Sequence, residues 1–143
     1  MILHLDTHAV VWLYAGNRNR FPARAKAALD HARLVYSPVV GLELAFLREI
    51  GRITAEPQQI LDYLRDRIAL VPDETPYLVV ARSAEALRWT HDPFDRLITA
   101  AAAAGDHPLL TRDRLILANY AGAVWDDEDG TGGRLLPTAL SHH

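Results

Sequence analysis

The sequence predicts an α/β sandwich around a short, mostly parallel sheet. Short apolar runs alternate with longer stretches of helical spacing, the pattern that lays helices on the faces of a parallel sheet. Half of the 143 residues are hydrophobic, enough for one folded domain with its own core. The helical stretches hold far more residues than the strands, so the sheet is expected to be small and its helical cover thick.

Taken in order, "MILHL" is a buried strand ending at Asp6, and "THAVVWLYAG" is a helix closed by Gly16. "FPARAKAALDHA" has alanine-rich helical spacing with Pro22 near its start, and "RLVYS" is a second strand. Ser37-Pro38 signals the next helix, "VVGLELAFLREIG". "EPQQILDYLRDRIA" is a helix, "ALVP" a third strand, and "TPYLVVARSAEALRW" a helix. Asp92-Pro93-Phe94-Asp95 supplies N-cap, N1, N2 and N3 of the alanine helix "PFDRLITAAAAAG". "HPLLTRD" holds a strand ending near Thr111, "RLILANYAG" a short helix and "AVWD" a last strand. The domain is expected over residues 1–126. Residues 127–143, acidic and then glycine-rich, are expected to form a loose tail.

Composition removes several classes of function. Without cysteine there are no disulfides and no thiolate metal sites, and a reducing cytoplasm is permitted. "MILHLD" has neither the basic start nor the apolar run of a signal peptide, and no stretch is long enough to span a membrane. Lys26 is the only lysine among fifteen basic residues. A phosphate-binding Gly-Lys-Ser/Thr loop is absent, as is a lysine near the aspartates where a phosphoaspartate enzyme wants one. The net charge of −3 does not advertise nucleic-acid binding, but an acidic metal cleft would hide a local basic patch in that sum.

Ligands of parallel sheets collect at the carboxyl ends of the strands. Asp6 and Asp113 fall there, and each is also a good N-cap for the helix that follows. Glu43 is mid-helix, with Val39, Val40, Phe46 and Leu47 one turn away, so its charge needs an arginine partner or a cation. Asp95 follows Asp92 by three positions and precedes Ile98 by one turn; two carboxylates so close repel, and a shared cation would relieve them. Asp6, Glu43, Asp95 and Asp113 can thus converge, with Asp92 as a possible fifth. Such hard oxygen donors suit Mg²⁺ or Mn²⁺ and the activation of water against a phosphodiester. Thr7 and Thr111 are adjacent hydroxyls able to orient a ligand or water.

"LDTHAVVWL", "GLELA", "HDPFDRLITAAA" and "PLLTRDRLI", in this order and spacing, resemble the PIN domain, and within it the VapC-type toxins of bacterial toxin–antitoxin pairs. The resemblance spans about residues 1 to 126. It implies a three-layer α/β/α sandwich and a Mg²⁺- or Mn²⁺-dependent endoribonuclease. The RNA substrate would be tRNA or rRNA, its cleavage halting translation. An antitoxin protein would block the site, the chain would form a homodimer, and the setting would be cytoplasmic. By motif, the metal-holding and catalytic acids fall on Asp6, Glu43, Asp95 and Asp113, with Asp92 secondary. The chain departs from many relatives at Leu42, where they carry an aromatic residue before the glutamate.

The remaining features have structural readings of equal or greater weight. "NRNRFPARAK" carries four positive charges and no negative one, and is a solvated face or an RNA backbone contact. Arg112 and Arg114 flank Asp113 and either reach substrate or pair with the acids; Arg96 follows Asp95 and either balances the cluster or turns away. Trp12, Tyr14, Trp89 and Trp125 are expected in the core or an interface, with base stacking as the other option. A PIN-like module that binds RNA or protein without cleaving is the alternative to the enzyme, and a metal-dependent phosphatase the weaker third reading.

Overall fold

The computed structural model describes residues 1–126; the tail expected over 127–143 lies outside the described residues. Five parallel strands form one sheet: β1 (Ile2–Leu5), β2 (Arg33–Tyr36), β3 (Val71–Pro72), β4 (Leu109–Leu110) and β5 (Ala123–Val124). Their spatial order is β3-β2-β1-β4-β5. Seven helices fill the connections: α1 (Thr7–Tyr14), α2 (Ala23–His31), α3 (Val39–Glu49), α4 (Pro57–Ile68), α5 (Tyr77–Glu85), α6 (Pro93–Ala104) and α7 (Arg114–Asn119). Helices α1, α3 and α4 pack on one another, α5 packs on α6, and α6 also meets α3; by the right-handed rule for parallel crossovers, the helices of the outward run from β1 to β3 belong to one face. The chain then returns across the sheet, and α5–α7 cover the other, which makes three layers.

The local signals act as expected. Asp6, Asp92 and Asp113 each accept a backbone N–H at the start of α1, α6 and α7. Just past the ends of α1 and α3, Gly16 and Gly51 take φ of 78° and 83°, the left-handed geometry that favours glycine. α6 is buried from Ile98 to Ala102, and alanine suits it for two reasons. Alanine is the best helix former, and its small side chain lets α6 lie close against Val80 and Ala84 of α5. The sequence expectation for α5 ran to Trp89, but the helix stops at Glu85. There Ala86 and Leu87 donate to the carbonyls three residues back, a tightened last turn that sends Leu87 against α5 and α6 and Trp89 toward the main core. A short 3-10 turn at Arg18–Arg20 has no counterpart in the sequence expectation. Among the described residues no helix is long and apolar enough to cross a membrane.

His4, in the central strand, is fully buried, and neither ring nitrogen has a hydrogen-bond partner. It stacks on His107 at 5.6 Å. Burial lowers its pKa from 6.5 to about 4, with Asp73 opposing and His107 assisting. The folded state therefore holds His4 neutral, and stability is lost as pH falls from 6.5 towards 4, by roughly 2–3 kcal/mol from this residue. His4→Leu removes both the unpaired polar atoms and the titration. It is expected to raise stability by about 1 kcal/mol at neutral pH and to flatten the acid limb of stability between pH 6.5 and 4. Urea titrations of both proteins across that range check it; parallel pH profiles would rule it out.

Candidate active site

The strand order sets the location. Chain direction away from β1 reverses between β1 and β4, and in such sheets a crevice opens where the carboxyl ends of the two diverging strands separate. Asp6 follows β1 directly, while Thr111 and Asp113 follow β4. The register pairs Leu5 with Leu110, so Asp6 and Thr111 leave the sheet side by side. The N-terminus of α6 brings Asp92 and Asp95, and α3 brings Glu43.

Asp6 is 5% exposed and accepts the Ala9 N–H at 2.9 Å. Burial pushes its carboxyl pKa up, and Asp113 pushes the same way; the Thr111 hydroxyl, the Ala9 N–H and His8 oppose them. Thr7, itself buried, donates its hydroxyl to Glu43 Oε1 at 2.6 Å. Burial also raises Glu43, against this hydrogen bond and His8, with Asp92 and Asp6 adding to the rise. Asp95 is pushed to about 8, first by burial and then by Asp92, Asp113, Glu43 and Asp6. Every acid singled out from the sequence thus faces others of the set. Three carry helix caps as well: besides Asp6, Asp92 accepts from the Phe94 N–H at 2.8 Å, and Asp113 accepts from the Ile116 N–H at 3.0 Å. Thr111 supports the turn beneath by accepting the Asp113 N–H at 3.0 Å.

Among the described residues none of these acids is in an ion pair; the exposed His8 offsets Asp6 and Glu43 without pairing with either. The arginine partner that would have explained Glu43 is absent from that set. Arg96 does not neutralise its neighbour Asp95; its Nε donates to the Thr90 carbonyl at 2.8 Å. Arg112 turns from Asp113 and lies over the Trp12 ring, 4.7 Å from the centroid. The expected core aromatics Trp12, Tyr14, Trp89 and Trp125 are partly buried against the main hydrophobic cluster.

The donor chemistry fits a hard divalent cation: several carboxylates, two hydroxyls and no thiolate. The carboxylates face one another without closing on a common point, since among the described residues no three acids or histidines form a tight ligand group. His8, which flanks Asp6 in the sequence without any zinc-type ligand spacing, bears on the acids. It is exposed, yet its field reaches both Asp6 and Glu43. Its position two residues beyond Asp6, on the first turn of α1, was the available signal.

Comparison with known proteins agrees with this architecture. The family model described as "PIN domain" matches residues 3–122. Ribonuclease VapC22 of Mycobacterium tuberculosis (strain ATCC 25618 / H37Rv) is 34% identical over 119 residues, covering 77% of this chain and 85% of that protein. Two solved structures share the fold. One is VapBC2 from Rickettsia felis bound to a DNA fragment from their promoter, with a TM-score of 0.62 at 18% identity, covering 88% of this chain and 100% of that one. The other is a toxin–antitoxin complex from Klebsiella pneumoniae, with a TM-score of 0.57 at 21% identity, covering 85% and 95%.

Proposed function

The chain belongs to the PIN domain family, and on that premise we propose that it is a Mg²⁺- or Mn²⁺-dependent endoribonuclease, the toxin of a toxin–antitoxin pair. One observation carries the chemistry. Among the described residues the carboxylates gathered at the β1/β4 crevice have no ion-pair partner, and burial and mutual repulsion hold Asp6, Glu43 and Asp95 back from ionising. A divalent cation would supply the missing charge, polarise a phosphoryl oxygen and make water more acidic.

The residues divide the remaining work. Asp6, Glu43, Asp95 and Asp113 would hold the cation. Thr7 fixes the Glu43 carboxylate through its 2.6 Å hydrogen bond, and the α1 cap fixes Asp6. Asp95, pushed up to about 8 by burial and the neighbouring carboxylates while no cation is present, would be returned to its ionised form by a bound cation. The RNA would be tRNA or rRNA, with arrest of translation as the consequence. The names of the similar proteins support an antitoxin partner, and the family likeness supports a homodimer.

The test is cleavage of structured RNA by purified protein with Mg²⁺ or Mn²⁺. Cleavage is expected with either ion and is expected to stop with excess chelator. Cleavage that survives the chelator overturns the metal-carboxylate chemistry, and intact RNA under every cation overturns the nuclease reading.

A further inference from the structure

Beside the acidic crevice lies a second charged arrangement of opposite sign. Arg20, from the 3-10 turn before α2, places its guanidinium 4.3 Å from the centroid of the Trp12 ring; Arg112, from the end of β4, lies 4.7 Å from the same centroid. The indole itself is held in an aromatic cluster, with Phe21 at 5.7 Å and Trp125 at 5.9 Å. Among the described residues neither guanidinium has a carboxylate partner, although the chain as a whole is net acidic. Both side chains are exposed.

We propose that Arg20 and Arg112, braced on Trp12, form a clamp for the phosphates of single-stranded RNA next to the scissile bond. The inference rests on the ribonuclease reading and deepens it. Two like charges held at one indole repel each other, and the phosphates of a strand passing beside them would relieve the repulsion. Stacking on an aromatic face restrains a guanidinium in advance, so less side-chain entropy is lost when its planar fork meets a phosphate. Because the guanidiniums cover the indole, Trp12 acts as their support and is a positioning residue; a base does not stack on it. Location supplies the link to the reaction. Arg112 lies between Thr111 and Asp113 in the chain, so a strand with one phosphate at the acids would have its neighbouring phosphates within the reach of a clamp rooted in the same turn.

Full-length Arg20→Ala, Arg112→Ala, the double variant and Trp12→Leu are compared with Arg33→Ala, an exposed arginine at the opposite end of the sheet. Binding of a short fluorescent single-stranded RNA of mixed sequence is measured in chelator across salt concentrations, and cleavage separately with Mn²⁺. Each clamp arginine removed is expected to lower the slope of log affinity against log salt by about 0.7, the value for one contact to a single strand. The double variant is expected to raise KM about tenfold or more, with kcat within about threefold of the parent. Trp12→Leu should weaken binding while keeping the parent slope, because both charges remain. Arg33→Ala should match the parent. If the parent cleaves RNA and the double variant keeps its affinity, slope and KM, the clamp is wrong and the nuclease stands. If the parent neither binds nor cleaves RNA, both readings fall.

Discussion

Asp6→Asn is expected to reduce cation-dependent RNA cleavage by at least about a hundredfold while leaving the metal-free protein as stable as the parent or more so. The two effects have one cause. Asp6 is buried at the end of β1, where burial opposes its ionisation and Asp113 adds to the opposition. Asparagine keeps the oxygen that accepts the Ala9 N–H, so the start of α1 survives. It carries no charge, so the cost of a buried carboxylate disappears along with its value as a cation ligand. Initial cleavage rates with Mn²⁺, alongside thermal melting in chelator, measure both. A variant with parental rates would remove Asp6 from the chemistry. A variant that melts well below the parent would mean that the carboxylate stabilises the fold, contrary to the burial argument.

The Asp95→Asn variant is expected to invert its rank with the parent when a divalent cation is added. The folded protein holds Asp95 protonated up to about pH 8, whereas the unfolded chain releases that proton near 3.8. Between those values the folded state binds the extra proton, so its stability from this residue falls as pH rises. The asparagine variant escapes that fall. At pH 8 in chelator it should be the more stable by about 1–2 kcal/mol, after discounting for solvent at a partly exposed carboxylate, and the gap should close as pH approaches 4. Cation binding pulls the other way, because it requires the ionised form and so strengthens with pH. At a cation concentration of about 100 times Kd the parent gains about 2.7 kcal/mol, which the variant largely forfeits. Urea denaturation at pH 5 and pH 8, with and without Mn²⁺, reads all four cases. A parent more stable than the variant in chelator at pH 8 would contradict the repulsion argued for the cluster.

In this chain, stability and function compete at the same atoms. Asp6, Glu43 and Asp95, three of the carboxylates that would hold the cation, are groups whose ionisation burial opposes, and the clamp arginines likewise set like charges beside one indole. Each arrangement is relieved by a ligand of the opposite sign. The crevice would take a cation and the clamp a phosphate, and in the proposed complex one RNA strand meets both.

Much of this was legible in the residues alone, for local reasons. Alternation of short apolar runs with helical spacing reported the α/β class, and Asp6, Asp92 and Asp113 announced helix starts through an interaction that reaches only three residues along the chain. Glu43 stood out because its apolar neighbours are one turn away on its own helix. The tertiary structure decided what lies between remote segments. The order β3-β2-β1-β4-β5 sets Asp6 beside the Thr111–Asp113 turn, more than a hundred positions away. It gave Glu43 the Thr7 hydroxyl in place of an arginine, sent Arg96 to the Thr90 carbonyl, and drew Arg112 onto Trp12. Spacing within a helix or strand fixes which side chains share a face. Which faces then meet depends on burying apolar area between elements far apart in sequence, and that placement alone settles whether a charge finds a counter-charge or is left for a ligand.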